Sequence, residues 1–261
     1  MKVADFYNQE CKARGYHPDP AQERAIVRLQ QCEDQWVAYK EIRSNALTKK
    51  LFHPELPRGV YLWGGVGRGK SFLMDCFYAA SPLEKKIRIH FHEFMREVHR
   101  ELHELSGLAD PLDELARRIS NRYRLICFDE FHVADITDAM ILHRLLVSLF
   151  DNGVSFVTTS NFKPDNLYPD GLHRDRLLPA IALLNQRMEV LNVDNGTDYR
   201  RRTLEMVKLY HCPLGESADS AMTDAFNQLV SGPDENPILH IEAREIQSRR
   251  RAGGVVWFDF R

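Results

Sequence analysis

Short, predominantly apolar runs recur between residues 59 and 193: Gly59–Trp63, Ile87–Phe91, Leu125–Phe128, Val154–Thr159 and Met188–Val193. Runs this short and this apolar predict strands covered on both faces, the pattern of a parallel sheet. Helical spacing fills the intervals, at Ser71–Tyr78, from the second run to about Leu105, on to Arg118, at about Asp138–Phe150 and around Arg174–Leu184. Ser106-Gly107 and Pro111 break the chain between the second and third of these, and Asn152-Gly153 stops the fourth. Strands alternating with helices predict an α/β domain, a parallel sheet sandwiched by helices.

The flanks read differently. Pro18-Asp-Pro-Ala-Gln22 opens a predicted helix with Ile26, Val27, Leu29, Trp36 and Val37 as its apolar side. After about Asp198, β-like runs at Thr203–Tyr210, Ile238–Ile246 and Gly254–Phe260 alternate with polar turns, and a helix is expected at about Ser217–Leu229. The expected organisation is a helical leader over 1–58, an α/β core over 59–197 and a small β-rich C-terminal appendage over 198–261.

Composition narrows the class. A formal net charge of -2 with 28% charged residues of both signs creates no global field toward nucleic acid or an anionic membrane. Arg200–Arg202 and Arg249–Arg251 are local candidates for phosphate contact, but their acidic surroundings favour solvated turns or subunit contacts, and no nucleic-acid partner is expected. Cys11, Cys32, Cys76, Cys127 and Cys212 are never spaced Cys-x-x-Cys, which argues against a zinc ribbon or a disulfide framework and for a reducing compartment. Met1–Tyr16 lacks the apolar core of a secretory signal, and no run approaches the ~18 apolar residues of a membrane span. A cytoplasmic protein is expected.

The chemistry concentrates in two places. Gly64-Gly65-Val66-Gly67-Arg68-Gly69-Lys70-Ser71 matches Gly-x4-Gly-Lys-Ser between a predicted strand and a predicted helix, the context the phosphate-binding loop requires. Glycines let backbone N–H groups curl around phosphates, Lys70 is placed for the β- and γ-phosphates of ATP, and the Ser71 hydroxyl for Mg²⁺. Arg124-Leu-Ile-Cys-Phe-Asp129-Glu130 delivers two carboxylates at the end of an apolar strand. Asp129 is expected to hold the Mg²⁺ water shell and Glu130 to orient and deprotonate the attacking water. Asn161, ending the fourth run, is a candidate for fixing that water or simply a turn residue before Pro164. Arg174 and Arg176 lie on or just before the next helix, where either is a candidate to reach a neighbouring subunit's nucleotide, or both are solvated surface residues. His90 and His92 on one strand face, with His99 and His103 four residues apart on a helix, raise a metal site, but the lack of a carboxylate at ligand spacing argues against it.

Beyond the loop, Trp63-Gly64, His90-Phe-His-Glu-Phe-Met95, Cys127-Phe-Asp-Glu-Phe131, Asp135-Ile-Thr-Asp-Ala-Met140, Thr159-Ser-Asn161, Leu167-Tyr168, Gly171–Pro179 and Asp198-Tyr-Arg200 together make a specific combination. Through it the chain resembles the ZapE cell-division ATPases and their mitochondrial relatives, a branch of the AAA+ P-loop ATPases. The resemblance implies a five-stranded sheet of order 5-1-4-3-2, ATP hydrolysis, and association with the FtsZ ring and the inner membrane at the division site. It supports Asn161 as a sensor and the Arg174–Arg176 segment as the source of an arginine finger in a ring-forming homo-oligomer. It also implies a helical region beyond Trp257–Phe260, so the chain is expected to stop before a C-terminal lid. Three other readings share the loop: a nucleotide-gated binding module with little turnover, a small-molecule kinase, and a helicase loader acting at DNA. Glu130 beside Asp129 speaks for water activation over the kinase.

Overall fold

Each of the five apolar runs forms a strand: β1 (Gly59–Trp63), β2 (Lys86–His90), β3 (Leu125–Asp129), β4 (Ser155–Ser160) and β5 (Met188–Asn192). The computed structural model describes residues 2–14, 19–44, 55–194, 215–230, 233–241, 244–252 and 254–259. All five strands pair in parallel in the order β2-β3-β4-β1-β5, the expected 5-1-4-3-2 read from the other edge. Among the described residues, seven α-helices accompany them in the first unit: α1 (Val3–Arg14), α2 (Pro20–Ser44), α3 (Lys70–Ala80), α4 (Phe91–Glu104), α5 (Pro111–Arg122), α6 (Ile136–Asp151) and α7 (Leu178–Arg187).

Because strand side chains alternate, each run feeds two cores. Tyr61, Ile126, Phe128, Phe156 and Met188 face a layer of α4 to α7, while Val60, Leu62, Leu125, Cys127 and Val157 face α1, α2 and α3. Burial on both faces is why the runs show so little polar alternation. Phe128 is a hub on its side, with ring centroids 4.9 Å from Phe94, 5.6 Å from Phe91 and 5.7 Å from Phe156. Tyr61 and Phe94 are core residues, and Trp63 is half-buried.

Several boundaries differ from the sequence reading, each for a local reason. β2 ends at His90 and Phe91 already begins α4, since the Phe91, Phe94, Met95 and Val98 spacing is helical. His90 and His92 therefore do not share a strand face, although their ring centroids are 5.7 Å apart. In α2, Ile26, Leu29 and Trp36 are buried as expected, but Val27 and Val37 are 58% and 38% exposed. Each follows its buried neighbour by about 100° around the helix and so faces away from the core. Arg174 and Arg176 fall in a 3₁₀ turn rather than in α7, which starts at Leu178 with Pro179 in its first turn.

The helical leader is built into the core. Val3, Tyr7 and Cys11 of α1, spaced by four, are buried against α2 and α3 in the same cluster as Trp36. Trp36 is 1% exposed and packs edge-on against Tyr39 at 5.5 Å. Trp36→Ala is expected to cost about 3–5 kcal/mol, read as a lower denaturant midpoint at unchanged slope.

Residues 1–198 and 199–261 form two separate compact units. In the second, α8 (Glu216–Leu229) accompanies two antiparallel hairpins, β6 (Ile238–Ile241) with β7 (Arg244–Gln247) and β8 (Arg250–Ala252) with β9 (Val255–Trp257). The run Thr203–Tyr210 and Arg200–Arg202 lie outside the described residues. Arg249, Arg250 and Arg251 are ion-paired with Asp219 (2.9 Å), Asp234 (2.8 Å) and Glu235 (3.0 Å), and Arg249 also lies over the Trp257 ring.

Candidate nucleotide site

Parallel pairing sets the level at which each strand ends. Trp63 pairs with Ser160 and Phe128 with Thr158, so β1, β4 and β3 end side by side at the carboxyl edge of the sheet. Ligands of open α/β sheets bind at that edge. Gly64–Ser71, Asp129–Glu130 and Asn161 all emerge from it, on three adjacent strands.

The turn from β1 into α3 depends on its glycines. Gly67 and Gly69 have φ of 77° and 80°, a region that penalises a β-carbon by roughly 1–2 kcal/mol. At Gly69 a β-carbon would also stand 2.5 Å from Gln22 Nε2. Gly69 is the N-cap of α3 and offers no side-chain acceptor, whereas Asp110 and Asp135 cap α5 and α6 by accepting from the Asp113 and Thr137 N–H groups. The first amides of α3 and the positive end of its dipole are left for an anion. Ser71 is exposed in the first turn, and Val66 is 55% exposed on the loop.

The loop is held from two sides. Gln22 Nε2 donates to Arg68 O (3.2 Å), and Gln22 Oε1 accepts from the Tyr7 hydroxyl (3.2 Å). On the other side, Asp194 accepts from the Gly65 N–H (3.2 Å) and lies 2.9 Å from Arg68 Nε. Lys70 Nζ donates to Gly64 O and Gly65 O, both at 2.7 Å, and to Asn161 Oδ1 at 2.9 Å. That last bond joins the loop to the end of β4.

Asp129 and Glu130 are adjacent in sequence but differ in environment. Asp129 shares the α3-facing side of β3 with Leu125 and Cys127, is buried, and accepts from Arg88 Nε at 2.6 Å and Nη2 at 3.3 Å. Glu130 leaves the strand with φ of 52°, a left-handed conformation that strains a non-glycine residue by roughly 1–3 kcal/mol. The turn is secured to β4: the Glu130 N–H donates to Thr159 Oγ1 (3.1 Å), the Phe131 N–H to Thr159 O (2.7 Å), and the Ser160 hydroxyl to Phe131 O (2.7 Å). Phe131 is buried against Phe91, ring centroids 4.2 Å apart, while the Glu130 side chain is exposed. One carboxylate is held in place and the other is free to meet a substrate.

The two arginines are engaged elsewhere. Arg174 Nη2 donates to Asp165 O at 2.6 Å, and Arg176 Nε lies 3.7 Å from the adjacent Asp175. Their turn follows His173, which has φ of 55°, and Gly171, where a β-carbon would overlap the Tyr168 ring. Of the histidines, His99 Nε2 is 2.7 Å from Asp138 Oδ1, an anchor between α4 and α6.

Residues 1–261 match the AFG1-like ATPase family. The chain belongs to that family. The cell division protein ZapE of Escherichia coli (strain K12) is 49% identical over 259 residues, covering 92% of this chain and 67% of that protein. Lactation elevated protein 1 homolog B of Danio rerio is 36% identical over 217 residues, 77% of this chain and 43% of that protein. An uncharacterised Schizosaccharomyces pombe protein is 36% identical over 229 residues, 84% of this chain and 50% of that protein. The chain thus spans about two thirds of the E. coli protein and half or less of the others. The resemblance to the ZapE ATPases read from the motifs is borne out.

In this AFG1-like ATPase, several residues at the site escaped the sequence reading. Gln22 was legible only as part of a helix start, and Asp194 only as a residue past a strand. Arg88 stands in an edge strand where alternating Lys86, Arg88 and His90 look solvated. Asp75 carried a usable signal, lying four residues after Ser71 and hence on the same face of α3. The donor set itself fits Mg²⁺: a hydroxyl at Ser71 and a carboxylate at Asp129 are hard oxygen ligands, which this ion takes together with water and substrate phosphates.

Proposed function

We propose that the chain is an Mg²⁺-dependent ATPase whose hydrolysis is coupled to remodelling of a division protein. The observation that carries this reading is the Lys70–Asn161 bond at 2.9 Å, beside a Glu130 turn bonded to Thr159. It gathers a phosphate-binding cation, a water-orienting amide and an exposed carboxylate at one sheet edge. Mg²⁺, when bound, would neutralise charge on the β- and γ-phosphate oxygens. Gly64–Gly69 amides and Lys70 would hold the phosphates, Ser71 and Asp129 would hold the ion and its waters, and Asn161 would orient the attacking water. Glu130 takes the proton of that water as its oxygen bonds to the γ-phosphorus and ADP leaves.

Arg174 or Arg176, extended from its turn, would serve a neighbouring copy in a ring; within this chain Arg174 donates to Asp165 O and Arg176 is ion-paired with the adjacent Asp175. By resemblance to ZapE the partner is FtsZ, at the division site on the cytoplasmic side of the inner membrane. No helix among the described residues is long and apolar enough to cross a membrane.

Phosphate release from ATP with Mg²⁺, with and without FtsZ polymers, tests the reading. Asn161→Ala should lower kcat roughly 10²-fold, the scale for losing one positioned polar group, with nucleotide binding retained. Binding without any phosphate release in the unmodified chain would instead favour a nucleotide-gated switch, and indifference to FtsZ would point to another division protein.

A further inference from the structure

The side of β2 facing α3 is cationic. Ile87 and Ile89 pack into the opposite core layer, so Lys86 and Arg88 project toward α3. Lys86 Nζ donates to Tyr78 O and Ser81 O, at 2.5 and 2.7 Å, at the C-terminal end of that helix. Arg88 reaches its middle and is ion-paired with Asp75, one turn after Ser71. The same guanidinium takes Asp129 through Nε at 2.6 Å and Nη2 at 3.3 Å. Burial disfavours its charge, but hydrogen bonds to Asp129 and Asp75 outweigh burial and push its pKa above the ordinary arginine value.

One rigid fork thus bridges the helix bearing Ser71 and the strand delivering Asp129. Its two bonds to Asp129 are unequal. Oδ2 is closely engaged at 2.6 Å, while Oδ1 has only longer contacts, 3.3 Å from Arg88 Nη2 and 3.5 Å from the Thr159 hydroxyl, and keeps acceptor capacity. Without the arginine, Asp75 and Asp129 would repel each other, and Asp129 would be a buried carboxylate without its cation.

We propose that Arg88 is a positioning residue for the metal: it sets the separation of Ser71 and Asp129 and holds Asp129 so that Oδ1 serves the ion's water shell. This rests on the reading of Ser71 and Asp129 as the Mg²⁺-holding pair. Two effects oppose each other, because a nearby cation also repels Mg²⁺. Orientation wins: Arg88 faces two carboxylates, so the cluster stays net negative, and removal of a partner that orients a metal ligand typically costs about 10–100-fold in metal affinity.

Binding of a fluorescent ATP analogue, titrated against Mg²⁺, and loss of the free-ion EPR signal of Mn²⁺ test the assignment without recourse to turnover. Arg88→Gln should raise the metal concentration for half-maximal binding about 10–100-fold while binding at saturating metal is retained. Arg88→Lys, which keeps the charge but loses the fork, should fall between. Asp75→Asn should shift the requirement the same way by weakening the arm to α3, and it decides the matter if Arg88→Gln does not fold. An unchanged or lower metal requirement in the folded variants would overturn the proposal. Nucleotide binding that needs no metal in the unmodified chain, and is indifferent to Asp129→Asn, would overturn the Mg²⁺ pair itself and this inference with it.

Discussion

Lys70→Ala is expected to abolish ATP turnover and to weaken nucleotide binding about 10²–10⁴-fold, the equivalent of losing two charge-assisted hydrogen bonds of ~1.5–3 kcal/mol each. The structure gives the reason. Lys70 Nζ is 2.7 Å from Gly64 O and Gly65 O and 2.9 Å from Asn161 Oδ1. It is the cation that joins the glycine-rich turn to the end of β4. On the proposed function, alanine removes both the charge that would oppose the phosphates and the link to Asn161. Lys70 is not among the residues of either core layer, so the far-ultraviolet circular dichroism spectrum should be unchanged. Phosphate release and titration with an ATP analogue read the two effects separately. Turnover surviving in this variant would remove the loop from the chemistry altogether.

Glu130→Gln should lower kcat by about 10²–10⁴-fold while leaving nucleotide affinity unchanged, the signature of a lost general base. Its backbone conformation is set by N–H bonds to Thr159 and by burial of Phe131, neither of which involves the carboxylate. Glutamine can therefore occupy the same turn, φ of 52° included, with the same exposed reach. Thermal stability should be unaltered. A variant that turned over at the parent rate would leave water activation to another group.

Most of the architecture was legible because it is encoded locally. The runs at Tyr61, Ile126 and Phe156 are apolar on both faces, as strands of a helix-covered parallel sheet are. The loop was legible because glycines at 67 and 69 answer a local need for positive φ. Less legible were features where two periodicities compete. Val27 and Val37 belong to an apolar-looking segment, yet the rotation of α2 turns them outward. Val3, Tyr7 and Cys11 line a buried helix face that the charges between them disguise.

Residue types and spacing by themselves determined that the chain has a glycine-rich turn of the phosphate-loop pattern, paired carboxylates after a strand, and an amide after another, since each is a property of a few consecutive residues. Which of these meet was settled only by tertiary structure. The register of β4 between β1 and β3 brings Asn161 to Lys70, and Arg88 and Asp75 arrive at Asp129 from an edge strand and a helix. The same packing buries Asp129 in an ion pair and leaves Glu130 exposed, although the two are neighbours in the chain. Strand register and burial are sums over contacts distant in sequence, so no local pattern carries them.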